Sequence, residues 1–343
     1  MAKIDQCLQK MVELSASDLH LHVDYPLTYR IDGELKPVGN ALNNKQIIFL
    51  LGEILTTDQK RLLNNGREVD FAYQLAGVGR FRGNIFLQDG KFGGVFRLIP
   101  SDIRSFEEIG APTVLRKLVQ AKSGLILVTG PTGSGKSTTM ATIVNEINNT
   151  RYGHILTLED PIEFTHDDKK CMITHKEVGQ DIPSFNEGLK AAFKENVDVV
   201  LVGEIRDAES MQSALNLAES GVLVLATLHT LDAANTVKRA VSFFKDQMRK
   251  MVRVRFAQNI NAILSMRLLP SVGGGRVAMY EIMIANQGIR NLIKEAKDHQ
   301  IESALEQGKS EGMKTFSISI GELLAHHKIS KDTADMHTGT LSK

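Results

Sequence analysis

One short run of residues carries most of the chemistry that the sequence suggests. Residues 130–137 read GPTGSGKS. Glycines of this kind let backbone N–H groups turn inward around an anion, while the lysine and the serine supply an ammonium and a hydroxyl suited to phosphates and Mg²⁺. An apolar run, LILVT, precedes this loop, and a helical stretch, TTMATIVNEINN, follows it. The pattern predicts a nucleotide-phosphate loop between a strand and a helix N-terminus, where the helix dipole favours phosphate.

Each residue of this loop has an expected place in nucleotide binding. We expect Lys136 to reach the β- and γ-phosphates and Ser137 to ligate Mg²⁺. The predicted binding residues are Gly130, Pro131, Thr132, Gly133, Ser134, Gly135, Lys136, Ser137 and Thr138. Binding alone does not give hydrolysis, which also needs a carboxylate near the metal, a base that orients water, and a cation beside the γ-phosphoryl group.

Acidic residues and a histidine follow other strand-like runs and are candidates for those roles. Glu204 ends the run VDVVLVGE and would serve the Mg²⁺ side. A second acidic cluster, residues 159–163, follows the run HILTL, and spacing alone does not choose between Glu159 and Glu163 as the general base. His229 ends the run VLVLATL, where an imidazole could sense a γ-phosphate.

These residues need a parallel sheet to bring them together. Apolar runs of buried-strand length alternate with helical stretches after residue 113, which indicates βαβ units and a mainly parallel sheet covered on both faces. The carboxyl ends of such strands meet at one sheet edge, where ligands bind. We therefore predict an α/β nucleotide-binding domain over residues 113–330, followed by a polar, frayed tail over 331–343.

The first 100 residues differ in texture. They combine a leading amphipathic helix with short alternating segments, and Asp32-Gly33 and Asp89-Gly90 indicate hairpin turns. We predict a smaller amino-terminal α+β domain over residues 1–100 and a linker over 101–112.

Composition sets outer bounds on function. The chain has 343 residues, which suggests about two domains. The formal net charge is +1, so nothing global draws the chain to nucleic acid or to an anionic membrane. The two cysteines cannot form a disulfide framework or a four-thiolate zinc site, which fits a reducing compartment. No run reaches the length of a membrane span, so we expect a cytoplasmic protein.

Four motifs in this order resemble a known family. GPTGSGKST, LTLEDPIEF, LVGEIRD and LATLHT together resemble the type II/IV secretion ATPase superfamily and, within it, the type IV pilus retraction ATPases. SASDLHL, YRIDGEL, GRFRGN and VFRLIP are similar to the amino-terminal, PAS-like domain of that family. GGGRVAMYEIMI and GIRNLIKE are similar to its carboxy-terminal region.

The resemblance implies a function and a set of roles. It implies a homohexameric Mg²⁺-dependent motor that drives pilus retraction and twitching motility, with ATP bound between the amino-terminal domain of one subunit and the RecA-like domain of another. Glu163 would polarise water and Glu204 would govern the Mg²⁺ side. Charge on the phosphates would be stabilised by amino-terminal arginines, for which the matching candidates are Arg80, Arg82 and Arg97.

The implied partners are an inner-membrane pilus platform protein and a second retraction ATPase. The chain would then be cytoplasmic and peripherally associated with the inner membrane through the pilus machinery.

Departures from the family pattern leave alternatives open. Lys176, Lys190 and Lys194 stand where the family usually shows arginines, and lysine cannot form a planar bidentate fork. Weaker turnover would suit an accessory retraction ATPase. A pilus-assembly or type II secretion ATPase shares the catalytic motifs, but its relatives generally carry an extra docking domain and a four-cysteine zinc insertion.

Two more distant alternatives come from other classes of protein. A nucleic-acid translocase would use the basic stretch KDQMRKMVRVRF, although no nucleic-acid partner is expected because no aromatic platform accompanies it. A nucleotide-gated scaffold would bind ATP without useful turnover.

Overall fold

The chain folds into two compact units. A computed structural model describes residues 2–31, 33–99 and 102–341, with the backbone alone over 338–341. One unit comprises Met1–Asp102 together with Pro161–Thr165, and the other comprises Ile103–Asp160 together with His166–Lys343. Residues 103–112, expected in a linker, belong to the second unit because Phe106 is buried in its core. Residues 161–165, expected in the nucleotide-binding domain, belong instead to the first unit.

The first unit is an antiparallel sheet with helices, in agreement with the α+β prediction. Its six strands are ordered β3-β2-β1-β6-β5-β4. Its elements are α1 (Lys3–Glu13), β1 (Asp18–Leu21), β2 (Leu27–Ile31), β3 (Glu34–Val38), α2 (Asn44–Gly52), α3 (Thr57–Asn64), β4 (Val69–Leu75), β5 (Gly79–Gln88) and β6 (Lys91–Ile99). Helix α1 is amphipathic, and its apolar stripe of Ile4, Leu8 and Met11 packs into the core of this sheet.

Both predicted hairpins are present. Strands β2 and β3 pair with Ile31 opposite Glu34, and β5 and β6 pair with Gln88 opposite Lys91. Asp89 and Gly90 both have positive φ, of 50° and 71°, as a type I′ turn requires. Asp32, the first residue of the other predicted turn, lies outside the described residues.

The second unit is built on a seven-stranded sheet ordered β13-β12-β7-β11-β10-β8-β9. Six strands are parallel, and β13 pairs antiparallel with β12 at the edge. The strands are β7 (Gly124–Thr129), β8 (Gly153–Glu159), β9 (Cys171–Glu177), β10 (Val199–Val202), β11 (Leu223–Leu228), β12 (Ile260–Pro270) and β13 (Arg276–Ile284).

Helices cover this sheet on both faces, as predicted. They are α4 (Val114–Leu118), α5 (Lys136–Thr150), α6 (Phe185–Ala192), α7 (Ala208–Glu219), α8 (Ala233–Ser242), α9 (Asp246–Asn259), α10 (Gln287–Lys294), α11 (Ile301–Gln307), α12 (Phe316–Ala325) and α13 (Lys331–Leu341), with 3₁₀ turns at Asp298–Gln300 and Gly308–Glu311. Strand β7 shows the layering, because Leu125 and Leu127 enter one apolar cluster while Ile126 and Val128 enter the other.

The parallel strands set the place of the predicted site. Strands β7 and β11 pair with Thr129 beside Leu228, and β8 and β10 pair with Leu158 beside Val202. The loops that follow these four strands therefore leave from the same edge of the sheet.

The expected polar tail is largely helical. Residues Lys331–Leu341 form α13, and Ala334 is buried against Phe316 and Ile320. This apolar anchor explains why the segment is ordered into a helix. None of the helices in the described ranges is long and apolar enough to cross a membrane.

Candidate nucleotide-hydrolysis site

The predicted phosphate loop has the backbone that its glycines suggest. It joins the buried strand β7 to helix α5, and Gly130 and Gly135 have φ of 147° and 92°. A Cβ atom on Gly130 would lie 2.4 Å from the carbonyl oxygen of Met266 and 2.6 Å from Ser134 Oγ. A side chain cannot fit there, so the loop approaches β12 as closely as it does only because this residue is glycine.

Polar groups inside the loop fit a polyphosphate. The Lys136 ammonium is buried and donates to the carbonyl oxygens of Gly130 and Pro131, each at 3.0 Å. Ser134 Oγ is buried and has no hydrogen-bond partner among the residues that the structure describes. A buried cation, an orphaned hydroxyl and the N-terminus of a 15-residue helix together form a cradle for anionic oxygens.

The rest of the loop is more open. Pro131, Thr132 and Gly133 are exposed, whereas Ser137 and Thr138 are half-buried in the first turn of α5. The Thr138 carbonyl accepts a hydrogen bond from Thr142 Oγ1 at 2.8 Å, within the helix. The nine predicted residues therefore form one continuous segment that begins after β7 and ends in the first turn of α5.

The structure brings Glu204 and His229 together. Glu204 Oε1 lies 3.3 Å from His229 Nε2, and Glu204 Oε2 accepts a hydrogen bond from Arg206 Nε at 2.7 Å. The two loops are joined through Thr227, whose carbonyl accepts the Ile205 N–H at 3.1 Å. The Glu204 carboxylate is thus held between a histidine and an arginine at the carboxyl edge of the sheet.

A magnesium site is consistent with these donors. The hydroxyl of Ser137 and the carboxylate of Glu204 are hard oxygen ligands of the kind that Mg²⁺ takes in nucleotide sites. The Glu204 side chain is 20% exposed, so it keeps access to solvent and to a bound ion.

The acidic cluster after β8 is divided between the two units. Glu159 is the last residue of β8 in the second unit, with a side chain that is 13% exposed. Glu163 lies in the segment that belongs to the first unit. Glu163 is therefore not in the same unit as Lys136 and Glu204, a separation that the sequence pattern did not predict.

The three candidate arginines lie together on β5 and β6. Arg82 is directly opposite Arg97, and Arg80 is two residues before Arg82, so all three occupy one face of the antiparallel sheet. Neighbouring Phe81 and Phe96 point into the core on the other face.

A buried aspartate orients one of these arginines. Asp18 Oδ1 accepts a hydrogen bond from Arg97 Nε at 2.8 Å, and Arg30 Nε lies 3.7 Å from Asp18 Oδ2. Burial raises the pKa of Asp18, but hydrogen bonds from Ser17 and Arg97 outweigh it, so the pKa is lowered. Asp18 is therefore a stable anion beneath the exposed Arg97. Sequence reasoning missed Asp18 and Arg30, although Asp18 stands within the quoted SASDLHL motif.

A chain of buried hydroxyls was also missed. Thr129, the last residue of β7, lies 3.0 Å from Ser265 Oγ and 3.5 Å from Thr236 Oγ1. Thr236 Oγ1 in turn lies 2.6 Å from Thr230 Oγ1, next to His229. These contacts link the start of the phosphate loop to the His229 loop. Single threonines and serines give no spacing signal that could have predicted this chain.

Another missed residue follows the glycine-rich hairpin between β12 and β13. Arg276 Nη1 lies 3.5 Å from the carbonyl oxygen of Gly133, at the exposed tip of the phosphate loop. The run GGGR could have indicated it, because three glycines allow a tight turn that returns a cation to the loop.

Helix α9 uses its arginines within the second unit. Arg253 forms two hydrogen bonds of 2.7 Å with the carboxylate of Asp298, and Arg255 forms a similar pair with Glu219. Arg249 contacts Asp246 at 2.6 Å. The three arginines of the basic stretch are thus paired with carboxylates, whereas Lys245 and Lys250 are exposed.

Two of the lysines at expected arginine positions also form ion pairs. Lys176 Nζ lies 2.6 Å from Glu195 Oε1, and Lys190 Nζ lies 2.8 Å from Glu187 Oε1. Both pairs lie within the second unit, and Lys194 is exposed.

Comparison with known proteins identifies the family. The model of the type II/IV secretion system protein family matches residues 103–274. The chain is 43% identical over 332 residues to the type IV pilus retraction ATPase PilT of Pseudomonas aeruginosa, with 96% of each chain covered. The chain belongs to the type II/IV secretion system protein family. The resemblance seen in the four motifs is thereby confirmed.

Similarity to other members of the family also extends over nearly the whole chain. The type IV pilus ATPase PilU of Pseudomonas aeruginosa is 33% identical, with 98% of this chain and 88% of PilU covered. A crystal structure of the pilus retraction motor PilT with bound ADP superposes with a TM-score of 0.90 at 39% identity, covering 97% of this chain and 96% of that one. The predicted fold class, an α/β RecA-like domain with a smaller amino-terminal domain, is confirmed.

The family segment GIRNLIKE forms helix α10. Ile289 and Ile293 are buried, and Arg290 Nη1 donates to the carbonyl oxygen of Gln258 at 2.7 Å, at the end of α9. A Cβ atom on Gly288 would meet only Asn286 Oδ1, at 3.4 Å. The surroundings of Gly288 therefore leave room for a small side chain at this position of the helix.

Proposed function

We propose that the chain is an ATP-hydrolysing motor that powers type IV pilus retraction. The observation that carries the proposal is the juxtaposition, within one unit, of a complete phosphate loop and the Glu204–His229 pair at the carboxyl edge of one sheet. Similarity along nearly the whole chain to a pilus retraction ATPase supports the pilus role.

Each residue of the candidate site has a distinct role in the proposed ATP hydrolysis. Loop N–H groups and the Lys136 ammonium bind the phosphates and withdraw charge from the γ-phosphoryl group. Glu163 accepts a proton from the attacking water. Glu204 and Ser137 hold Mg²⁺, directly or through water, and the ion when bound neutralises phosphate charge. His229, fixed against Glu204, distinguishes the presence of a γ-phosphate from its absence.

The arginine face of the first unit completes the site from another subunit. Arg80, Arg82 and Arg97 stabilise developing negative charge, which is worth several orders of magnitude in rate when a guanidinium is placed correctly. The proposed motor is a homohexamer in which each site combines residues of two neighbouring chains, and the resemblance to the secretion ATPases supports this arrangement. The motor works in the cytoplasm at the inner membrane, against a pilus platform protein, with a second retraction ATPase as a further partner.

Measurement of phosphate release by the purified chain tests the proposal that it hydrolyses ATP. Glu163→Gln should bind a fluorescent ATP analogue normally and lose most of its turnover, because an amide cannot accept the proton. Glu306→Gln, an exposed carboxylate on α11, is a matched control and should retain full turnover. Normal hydrolysis by Glu163→Gln would exclude it as the base, and no phosphate release by the wild type with or without a pilus partner would favour a scaffold.

Counting surface pili on cells that lack the gene tests the proposed role in pilus retraction. Loss of a retraction motor should leave surplus immobile pili, whereas loss of an assembly motor should leave none. Turnover only in the presence of a second ATPase would instead indicate the accessory role.

A further inference from the structure

The segment that carries Glu163 has both of its roots on one edge of the second unit's sheet. The chain leaves this unit after Asp160 and returns at His166. Strand β8 ends at Glu159, and the adjacent parallel strand β9 contains His175. A group that bound both the end of β8 and His166 would fix the two ends of the segment over residues 161–165.

His175 forms hydrogen bonds both with the strand that leads into the segment and with the backbone that follows it. Its Nε2 accepts the backbone N–H of His166 at 3.2 Å. Its Nδ1 lies 2.8 Å from Thr157 Oγ1 and 4.0 Å from Glu159 Oε1. Because Nε2 accepts a hydrogen bond, the neutral ring carries its proton on Nδ1, facing the Thr157 hydroxyl and the Glu159 carboxylate. One imidazole in one tautomer therefore joins the strand before the segment to the backbone after it.

His166 and Asn148 also hold the backbone where the chain re-enters the second unit. The two histidine rings stack, with centroids 5.8 Å apart and planes at 12°. Burial, with smaller contributions from His175 and Lys169, lowers the pKa of His166 to about 3, so this ring stays neutral. Asn148 of α5 donates to the Asp167 carbonyl at 2.8 Å and accepts the Lys169 N–H at 3.2 Å.

We propose that His175 is a positioning residue that clamps Thr157 of β8 to the backbone of His166 at the β8–β9 edge and thereby fixes the segment that carries Glu163. This inference rests on the proposed function, since the role of Glu163 as base is part of it. Loss of the clamp frees the roots of the segment without touching the phosphate loop. Hydrolysis therefore slows while nucleotide binding is retained.

Two substitutions at one position separate the clamp from general packing. His175→Leu keeps the bulk but removes both polar contacts, whereas His175→Gln offers a donor and an acceptor again. For His175→Leu we expect kcat to fall about ten-fold, the factor that one net hydrogen bond is worth, with KM for ATP within about two-fold. His175→Gln should recover most of kcat.

His154→Leu is the matched control. His154 makes the same kind of bond across the same two strands, with Nε2 2.9 Å from Thr174 Oγ1 and Nδ1 3.2 Å from the Glu195 carbonyl oxygen. It does not hold the roots of the segment, so its loss should leave kcat near the wild-type value.

Amide hydrogen exchange of the full chain gives a readout that does not depend on ATPase activity. Peptides that cover residues 159–169 should exchange faster in His175→Leu and at the wild-type rate in His175→Gln and His154→Leu. Unchanged exchange, equal loss of kcat in His154→Leu, or no recovery in His175→Gln would each overturn the clamp. If His175→Leu fails to fold, the comparison of His175→Gln with His175→Ala decides in the same way. A wild type without ATPase activity would refute the proposed function, and the exchange measurements would still decide the inference.

Discussion

A buried glutamate behind the His229 loop gives the sharpest quantitative prediction. Glu281 of β13 is 6% exposed, and its Oε1 accepts the backbone N–H of Ala233 at 2.7 Å, at the first residue of α8. Burial is the main reason that the pKa of Glu281 is raised from its ordinary value of 4.5 to about 7, with the Ala233 bond opposing the shift. The nearby charges of Asp232 and Glu302 raise it further.

The sign of the effect on stability follows from linkage. The folded state binds this proton more tightly than the unfolded chain does, so the free energy of unfolding falls as pH rises from about 4.5 to about 7 and then levels off. At about 1.4 kcal/mol per pH unit, the charged carboxylate costs about 3 kcal/mol at pH 8. Glu281→Gln keeps an acceptor for Ala233 but cannot ionise, and it removes this cost.

Urea unfolding of both proteins, followed by circular dichroism between pH 5 and pH 8, measures the difference. We expect Glu281→Gln to be more stable by about 1 kcal/mol at pH 5 and about 3 kcal/mol at pH 8. Glu306→Gln, which removes an exposed carboxylate of α11 that does not contribute to the Glu281 shift, is the control and should show no pH-dependent difference of this size. A constant difference across the range, or a variant less stable at pH 8, would refute the reasoning.

Four further outcomes test the site and its support. Lys136→Ala should lose affinity for a fluorescent ATP analogue, and unchanged affinity would contradict the loop assignment. Glu204→Gln should bind that analogue and lose at least about a hundred-fold in single-turnover hydrolysis. Arg97→Lys should fold normally but lose at least about ten-fold in phosphate release, since lysine cannot replace the guanidinium fork; equal rates would exclude the role. Asp298→Ala leaves the largely buried Arg253 guanidinium without its carboxylate, and urea unfolding should show a loss of about 3 kcal/mol; an unchanged free energy of unfolding would contradict a stabilising role for the pair.

The parts of the candidate site whose placement could be predicted from the sequence are those set by local chain geometry and sheet topology. The phosphate loop depends on glycines at fixed spacing between a strand and a helix, and it is formed by one continuous segment. Glu204 and His229 lie 25 residues apart in the chain, yet both follow parallel strands, and the parallel sheet alone requires their loops to share an edge. The pattern of apolar strands and the parallel topology were therefore enough to predict that Glu204 and His229 lie close together.

The parts that the sequence did not predict depend on partners distant along the chain. Arg253 and Arg255 look like a basic stripe in the sequence, because nothing nearby in it shows that Asp298 and Glu219 neutralise them. The assignment of Pro161–Thr165 to the first unit was missed for a similar reason, since a five-residue excursion leaves no change in composition. An ion pair between residues distant in the sequence is determined by the folded structure, whereas the spacing of residues in the sequence indicates only which side chains are close along the chain.

The His229 loop is held from two sides, which bears on how it could respond to nucleotide. Leu228 ends β11 beside Thr129 of β7, and α8 begins at Ala233, whose N–H is bound by Glu281. Thr236 in the first turns of α8 contacts Thr129 as well, at 3.5 Å. Because Thr129 immediately precedes the phosphate loop, a displacement of β7 must either break the contact with Thr236 or move the start of α8. The His229 loop is thus connected to the start of the phosphate loop by paired strands and by hydroxyl contacts.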